Sequence, residues 1–191
     1  MNSMTKLLAG VVLAASAMTA NAAVIAYQAT LGPEALGATG SGVVNLAYDT
    51  VTNDLSINAS WSGLSGTTSV AHIHCCTASP LTGTVGVAVT PGTLPGFPTG
   101  VKSGTYSTTV DLDLAASFTT TFLTANGGTT AGATAALLAG LDAGKAYFNI
   151  HTTAYPGGEI RGFPQRVPEP GTLALVGLSL AGLAARRRRR Q

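Results

Sequence analysis

The stretch 147–163, Y-F-N-I-H-T-T-A-Y-P-G-G-E-I-R-G-F, constrains the fold more than any other part of the chain. Phe148 and Ile150 alternate with Tyr147, Asn149 and His151, a period of two that puts one face of a strand in a core and the other among polar groups. Pro156, Gly157 and Gly158 supply a turn, because proline pre-sets φ and glycine tolerates positive φ. Glu159, Ile160 and Arg161 then resume the alternation. The pattern predicts a hairpin with Ile160 inward and with Glu159 and Arg161 outward.

The rest of the body repeats short strands and turns. Candidate strands cover 24–31, 42–48 and 55–61, and the acid and amide cluster 49–54 joins the second to the third. In the third, Leu55, Ile57, Ala59 and Trp61 alternate with Ser56, Asn58 and Ser60, so the single tryptophan reads as a core anchor. A fourth strand, 69–74, runs into Cys75 and Cys76. The segment 77–100 is rich in Gly, Pro and Thr, holds a short strand at 85–89 and otherwise reads as a surface connection. Alternation returns at 104–114, with Tyr106, Thr108, Val110 and Leu112 on one side. The best helix candidate is 131–141, closed by Asp142, Ala143 and Gly144. Only 9% of residues are charged, against roughly 25% in ordinary soluble proteins, and Gly, Ala, Thr and Ser make up the difference. That composition favours strands and tight turns over long surface helices. The expected fold is all-β, an antiparallel β-sandwich or barrel with one short helix.

Both ends differ from the body. Residues 1–22 read as a secretory signal peptide: Lys6 gives a positive start, 7–18 an apolar run, and Ala20-Asn21-Ala22 the small-x-small cleavage site. Beyond the body, 23–166, Val167-Pro168-Glu169-Pro170 cannot continue a strand or helix, 171–185 is uncharged and mostly aliphatic, and Arg186 to Arg190 follow. Fifteen residues fall short of the roughly 20 of a comfortable span, but flanking arginines snorkel and neighbouring residues add length, so 167–191 is expected to contain a transmembrane helix. The arginines stay cytoplasmic and leave the body across the membrane. They also distort the formal net charge of +2, because six of the ten basic residues, Lys6 and Arg186 to Arg190, lie in the end segments. Four basic residues against seven acids leave the body at about −3, which removes the electrostatic footing for a nucleic-acid partner.

The three parts of the tail, V-P-E-P at 167–170, the apolar helix and the arginine cluster, resemble the PEP-CTERM sorting signal of exopolysaccharide-producing Gram-negative bacteria. That resemblance implies recognition by an exosortase in the inner membrane, cleavage near Pro168-Glu169-Pro170, and delivery to the cell surface or extracellular matrix. The body resembles the CHRD domain, a secreted module first recognised in chordin, through A-H-I-H at 71–74 and F-N-I-H-T followed by P-G-G-E-I-R-G within 148–162. Many members carry a Gly-Pro turn where this chain has Cys75-Cys76. The family has no established catalytic activity, so the resemblance implies architecture and location. The H-x-H strand also looks like that of copper/zinc superoxide dismutase, without that enzyme's acidic bridging-ligand pattern. The expected sandwich is therefore immunoglobulin-like or superoxide-dismutase-like.

His72 and His74 stand two apart on a strand, so both imidazoles share a face with Cys76, while Ile73 and Cys75 point the other way. If the 147–163 hairpin lies in the same sheet, His151 joins them, and Asn149, Glu159 and Arg161 stand beside the imidazoles as hydrogen-bonding partners. Such a patch suits copper or zinc. The competing reading is a solvated strand face held by cross-strand hydrogen bonds and salt bridges. The adjacent cysteines leave three readings open: a vicinal disulfide, which the oxidising compartment favours; free thiols with Cys76 as a soft metal ligand; or an intermolecular bridge. No hydrolase site is visible, since G-x-S-x-G is absent and Glu159 beside Arg161 reads as an ion-paired carboxylate. The expected role is binding or structural, not enzymatic, with extracellular polysaccharide or matrix proteins as candidate partners. The rival is a copper- or zinc-binding protein, or a copper-dependent oxidoreductase, using the histidine patch.

Overall fold

The computed structural model describes residues 23–168. The expected signal peptide 1–22, Glu169 and Pro170 of the sorting motif, the apolar stretch 171–185 and the arginine run 186–190 lie outside the described residues. Among the described residues no helix is long and apolar enough to cross a membrane.

The alternating segments form β1 (Val24–Pro33), β2 (Ser41–Asp49), β3 (Asp54–Ser62), β4 (Thr68–His74), β5 (Val87–Val89), β6 (Gly104–Asp111), β7 (Tyr147–Thr152), β8 (Ile160–Gly162) and β9 (Gln165–Arg166). Their order in the sheet is β5-β4-β7-β8-β1-β2-β3-β6, with β9 added to β1, and every pairing is antiparallel. β1 is the joint of the half-barrel. Residues 24–31 pair with β2, whereas Gly32 and Pro33 pair with Arg161 and Ile160 of β8. One sheet thus wraps a core made from the apolar register of each strand: Tyr27, Leu31, Val44, Leu46, Leu55, Ile57, Ile73, Phe148, Ile150 and Ile160 are buried.

β3 and β6 run in register from Asp54↔Asp111 to Trp61↔Gly104. A Cβ on Gly104 would stand 2.9 Å from the Trp61 ring, so the indole lies over the glycine. Phe97 stacks on the indole with ring centroids 5.3 Å apart, and Leu94 is fully buried. The 77–100 segment, expected as a surface connection, therefore closes one end of the core.

Two helices complete the body. α1 (Thr120–Ala125), with a 3₁₀ turn before it at Ala115–Ser117, fills a segment in which the sequence pattern predicts no element. α2 (Thr130–Asp142) overlies the expected 131–141 and begins at Thr129, whose hydroxyl accepts the Gly132 N–H at 3.1 Å. It buries Ala133, Leu137 and Leu141. Gly140 abuts the Cys75–Cys76 disulfide so closely that a Cβ there would overlap both sulfurs. All six residues of β7 are buried on both faces, so the polar side of the hairpin is covered and not solvated.

Candidate metal centre

β4 and β7 are direct neighbours, with His72 opposite Asn149, His74 opposite Tyr147 and Val70 opposite His151. The period of two then sends Ala71, Ile73, Phe148 and Ile150 into the core and gathers His72, His74, Asn149 and His151 on the other face. The histidines are only 8%, 8% and 9% exposed and Asn149 is 1% exposed. That degree of cover rules out the solvated-face reading. Their donor nitrogens lie within 4.8 Å of one another.

Three backbone carbonyls fix the imidazole tautomers. His72 Nε2 lies 2.8 Å from the Gly92 oxygen, His74 Nδ1 2.7 Å from that of Val85, and His151 Nδ1 2.7 Å from that of Pro156. A carbonyl oxygen only accepts, so each of these nitrogens carries the ring proton and donates it. The lone pairs are left on His72 Nδ1, His74 Nε2 and His151 Nε2, all turned inward. His72 Nδ1 and His151 Nε2 are 3.2 Å apart, and Asn149 Oδ1 lies 3.2 Å from both His74 Nε2 and His151 Nε2. The amide nitrogen of Asn149 donates to Glu34 Oε2 at 3.2 Å, which fixes Oδ1 as the atom facing the imidazoles.

Four acceptors therefore face one another, an arrangement that favours a cation or a bridging hydrogen-bond donor among them. A proton is a poor candidate at neutral pH. Burial holds His72 and His74 below the ordinary histidine range, and the neighbouring imidazoles push the same way, against the opposing donation to the Gly92 and Val85 carbonyls. His74 also stacks on Tyr147, with ring planes 4° from parallel and centroids 4.5 Å apart, which pins its orientation.

Arg161 and Glu159 do not pair as the sequence predicts. Arg161 binds Glu34 at 3.3 Å, donates to the Gly83 carbonyl at 2.8 Å, and lies over the Tyr147 and Phe163 rings. Glu159 points the opposite way, has no exposed surface, and accepts from the Ser65 and Gly66 N–H groups and the Thr152 hydroxyl. It therefore touches none of the imidazoles. The reason is local: β8 begins at Ile160, so Glu159 belongs to the turn, where strand alternation does not apply. Cys75 and Cys76 are joined by a disulfide across a cis peptide, with Cα atoms 3.0 Å apart. Both sulfurs lie against α2 near Ala136, so Cys76 does not join the histidine face as a thiolate ligand.

Sequence reasoning missed Glu34 and the three carbonyls. Glu34 follows Pro33 at the end of β1, where its N–H bonds the Glu159 carbonyl, and strand patterning carries no information there. Its one signal was scarcity, as an isolated acid in a chain with few charges.

The CHRD domain model matches residues 16–163 of this chain. The chain belongs to the CHRD family. A second model, the PEP-CTERM protein-sorting motif, matches residues 166–190. Comparison with curated proteins found no match, and comparison with solved structures found none either. A CHRD domain with this motif is an exosortase-sorted protein, exported across the inner membrane, transiently membrane-anchored, and then located at the surface or outside the cell. The start of the motif overlaps the last strand: Gln165 and Arg166 pair with β1, and the Val167 N–H donates to the Ala26 carbonyl at 2.8 Å.

Proposed function

We propose that this CHRD protein is a surface-delivered metal-binding module, with His72, His74 and His151 holding one copper or zinc ion. Its signal, 1–22, is removed on export, and its tail, 167–191, on sorting. The observation that carries the reading is the acceptor-only cluster: each imidazole is locked by a backbone carbonyl with its lone pair turned inward. Hydrogen bonds that fix the ring tautomer in this way are the usual companions of metal-ligating histidines. Imidazole nitrogens at about 2.0–2.1 Å suit zinc or copper. The covered position of the cluster, under segments from three parts of the chain, favours retention of an ion over its exchange with solvent. Binding would tie together β4, β7, the 83–92 segment and the 152–158 turn, which gives the module a structural consequence as well as a cargo.

The test is titration of copper and zinc into the metal-free full chain beside a His151→Ala variant. The three histidines of the cluster are all that the chain contains, so no other imidazole competes. The wild type should bind one equivalent, and the variant should bind at least about 10-fold more weakly. Equal weak binding by both would remove His151 from the site and return the cluster to a purely structural role.

A further inference from the structure

Resting on the metal reading, the geometry points to Asn149 Oδ1 as a fourth ligand and to Glu34 as the residue that turns it, making a closed tetrahedral site for a divalent ion of zinc type. In a tetrahedral shell with bonds of about 2.0–2.1 Å, neighbouring donor atoms lie about 3.3–3.4 Å apart. Three separations in the cluster already approach this edge: His72 Nδ1 to His151 Nε2, His74 Nε2 to Asn149 Oδ1, and His151 Nε2 to Asn149 Oδ1, each 3.2 Å. No donor pair among the histidines exceeds 4.8 Å, so a small tilt of each ring about its hydrogen bond to the carbonyl, which keeps that bond, closes the remaining imidazole edges.

The amide cannot present its nitrogen instead. Turning it over would set Oδ1 against the Glu34 carboxylate, two acceptors face to face, and would aim both amide protons at the ion. Glu34 is held for this purpose by Arg161 at 3.3 Å. Gly158 makes the approach feasible, because a Cβ there would overlap the Glu34 carboxylate and stand 3.0 Å from Asn149 Nδ2. The donor set is then three neutral imidazoles and one neutral amide oxygen, with the Glu34 charge one hydrogen bond away. A hard oxygen in a tetrahedral shell suits Zn(II) and Co(II) better than Cu(I), which takes softer ligands, or Cu(II), which prefers tetragonal geometry. Four protein ligands leave no position for an exogenous molecule, which is the mark of a holding site and not a catalytic one.

Co(II) is the probe, because its visible spectrum reports coordination number. The metal-free full chain should bind one Co(II) with the intense absorption of a tetrahedral ion, release it to Zn(II), and show no change on adding azide. Asn149→Ala should bind about 10–100-fold more weakly and should respond to azide, because a position has opened. Asn149→Asp combined with Glu34→Gln, which keeps an oxygen and adds charge at the ion while the new amide donates to the Asp oxygen behind it, should bind more tightly than wild type and stay unresponsive to azide, and it serves if the alanine variant does not fold. Glu34→Gln should weaken binding about 10-fold and give a partial azide response, as expected of a positioning residue. An azide-sensitive wild type, or Asn149 variants with wild-type affinity, would overturn the fourth ligand while leaving the histidine site standing. Failure of the wild type to bind Co(II) or Zn(II) while it binds copper would overturn the tetrahedral site alone, and failure to bind any of the three would overturn both.

Discussion

Replacing Glu159 by alanine should cost far more than its place in a turn suggests. The carboxylate has no exposed surface and is the common acceptor for the Ser65 N–H, the Gly66 N–H at 3.2 Å and the Thr152 hydroxyl, so it clamps the β3–β4 connection onto the β7–β8 hairpin. Truncation leaves two backbone donors and one hydroxyl without their acceptor, at about 1–3 kcal/mol for each group that stays buried. The hydroxyl can turn to another partner, so the two backbone donors set the expected loss at about 2–6 kcal/mol, a large share of the roughly 5–15 kcal/mol that holds a domain together. The pH dependence is a second signature. Burial alone would raise the Glu159 pKa, but the hydrogen bonds more than offset it and leave the group below its ordinary 4.5. Stability from this depressed carboxylate is fully present above pH 4.5 and is lost as pH falls toward the folded value. Urea denaturation of wild type and Glu159→Ala at pH 7 and at about pH 3.5 measures both effects. A gap below about 1 kcal/mol at pH 7, or a gap unchanged in acid, would refute the clamp.

Further outcomes follow from the same contacts. Arg161→Ala strips the partner from Glu34, whose side chain is 9% exposed, and removes the donor to the Gly83 carbonyl, so denaturant melts should register a loss of about 1–3 kcal/mol, between the limits for exposed and buried pairs. Because burial depresses His72 and His74, the metal-free protein should hold their full contribution above about pH 6.5 and lose it as pH falls through the depressed values, a slope that thermal melts between pH 7.5 and pH 5 would reveal. Deleting 167–191 should move the exported protein from the membrane fraction to the soluble periplasmic fraction with its fold intact, since Gln165 and Arg166 keep β9 on β1; fractionation and circular dichroism check both halves of that statement.

The sheet was legible because its strands alternate cleanly. Leu55, Ile57, Ala59 and Trp61 could belong to no other pattern, and all four are in the core. The histidine face was legible for the same reason, as far as His72, His74 and His151. What period-two patterning cannot state is adjacency, and the register of β4 on β7 supplies it. The cover over the site was not legible. It comes from the carbonyls of Val85, Gly92 and Pro156, groups that every residue carries and that therefore leave no mark in a sequence. Glu34 took the pairing expected of Glu159 because both sit just outside strands, where direction is set by turns: Glu34 binds Arg161, and Glu159 turns to Ser65 and Gly66. Phe97 and Leu94 were hidden among glycines and prolines, so a segment that closes the core read as surface.

The most direct test is the metal content of the protein isolated after export, without added metal, measured by plasma mass spectrometry against protein concentration. The acceptor-only cluster of His72, His74 and His151 predicts close to one copper or zinc ion per chain, and none in a variant with all three histidines replaced by alanine. A wild-type protein that emerges metal-free and takes up no ion when copper or zinc is supplied would contradict the account.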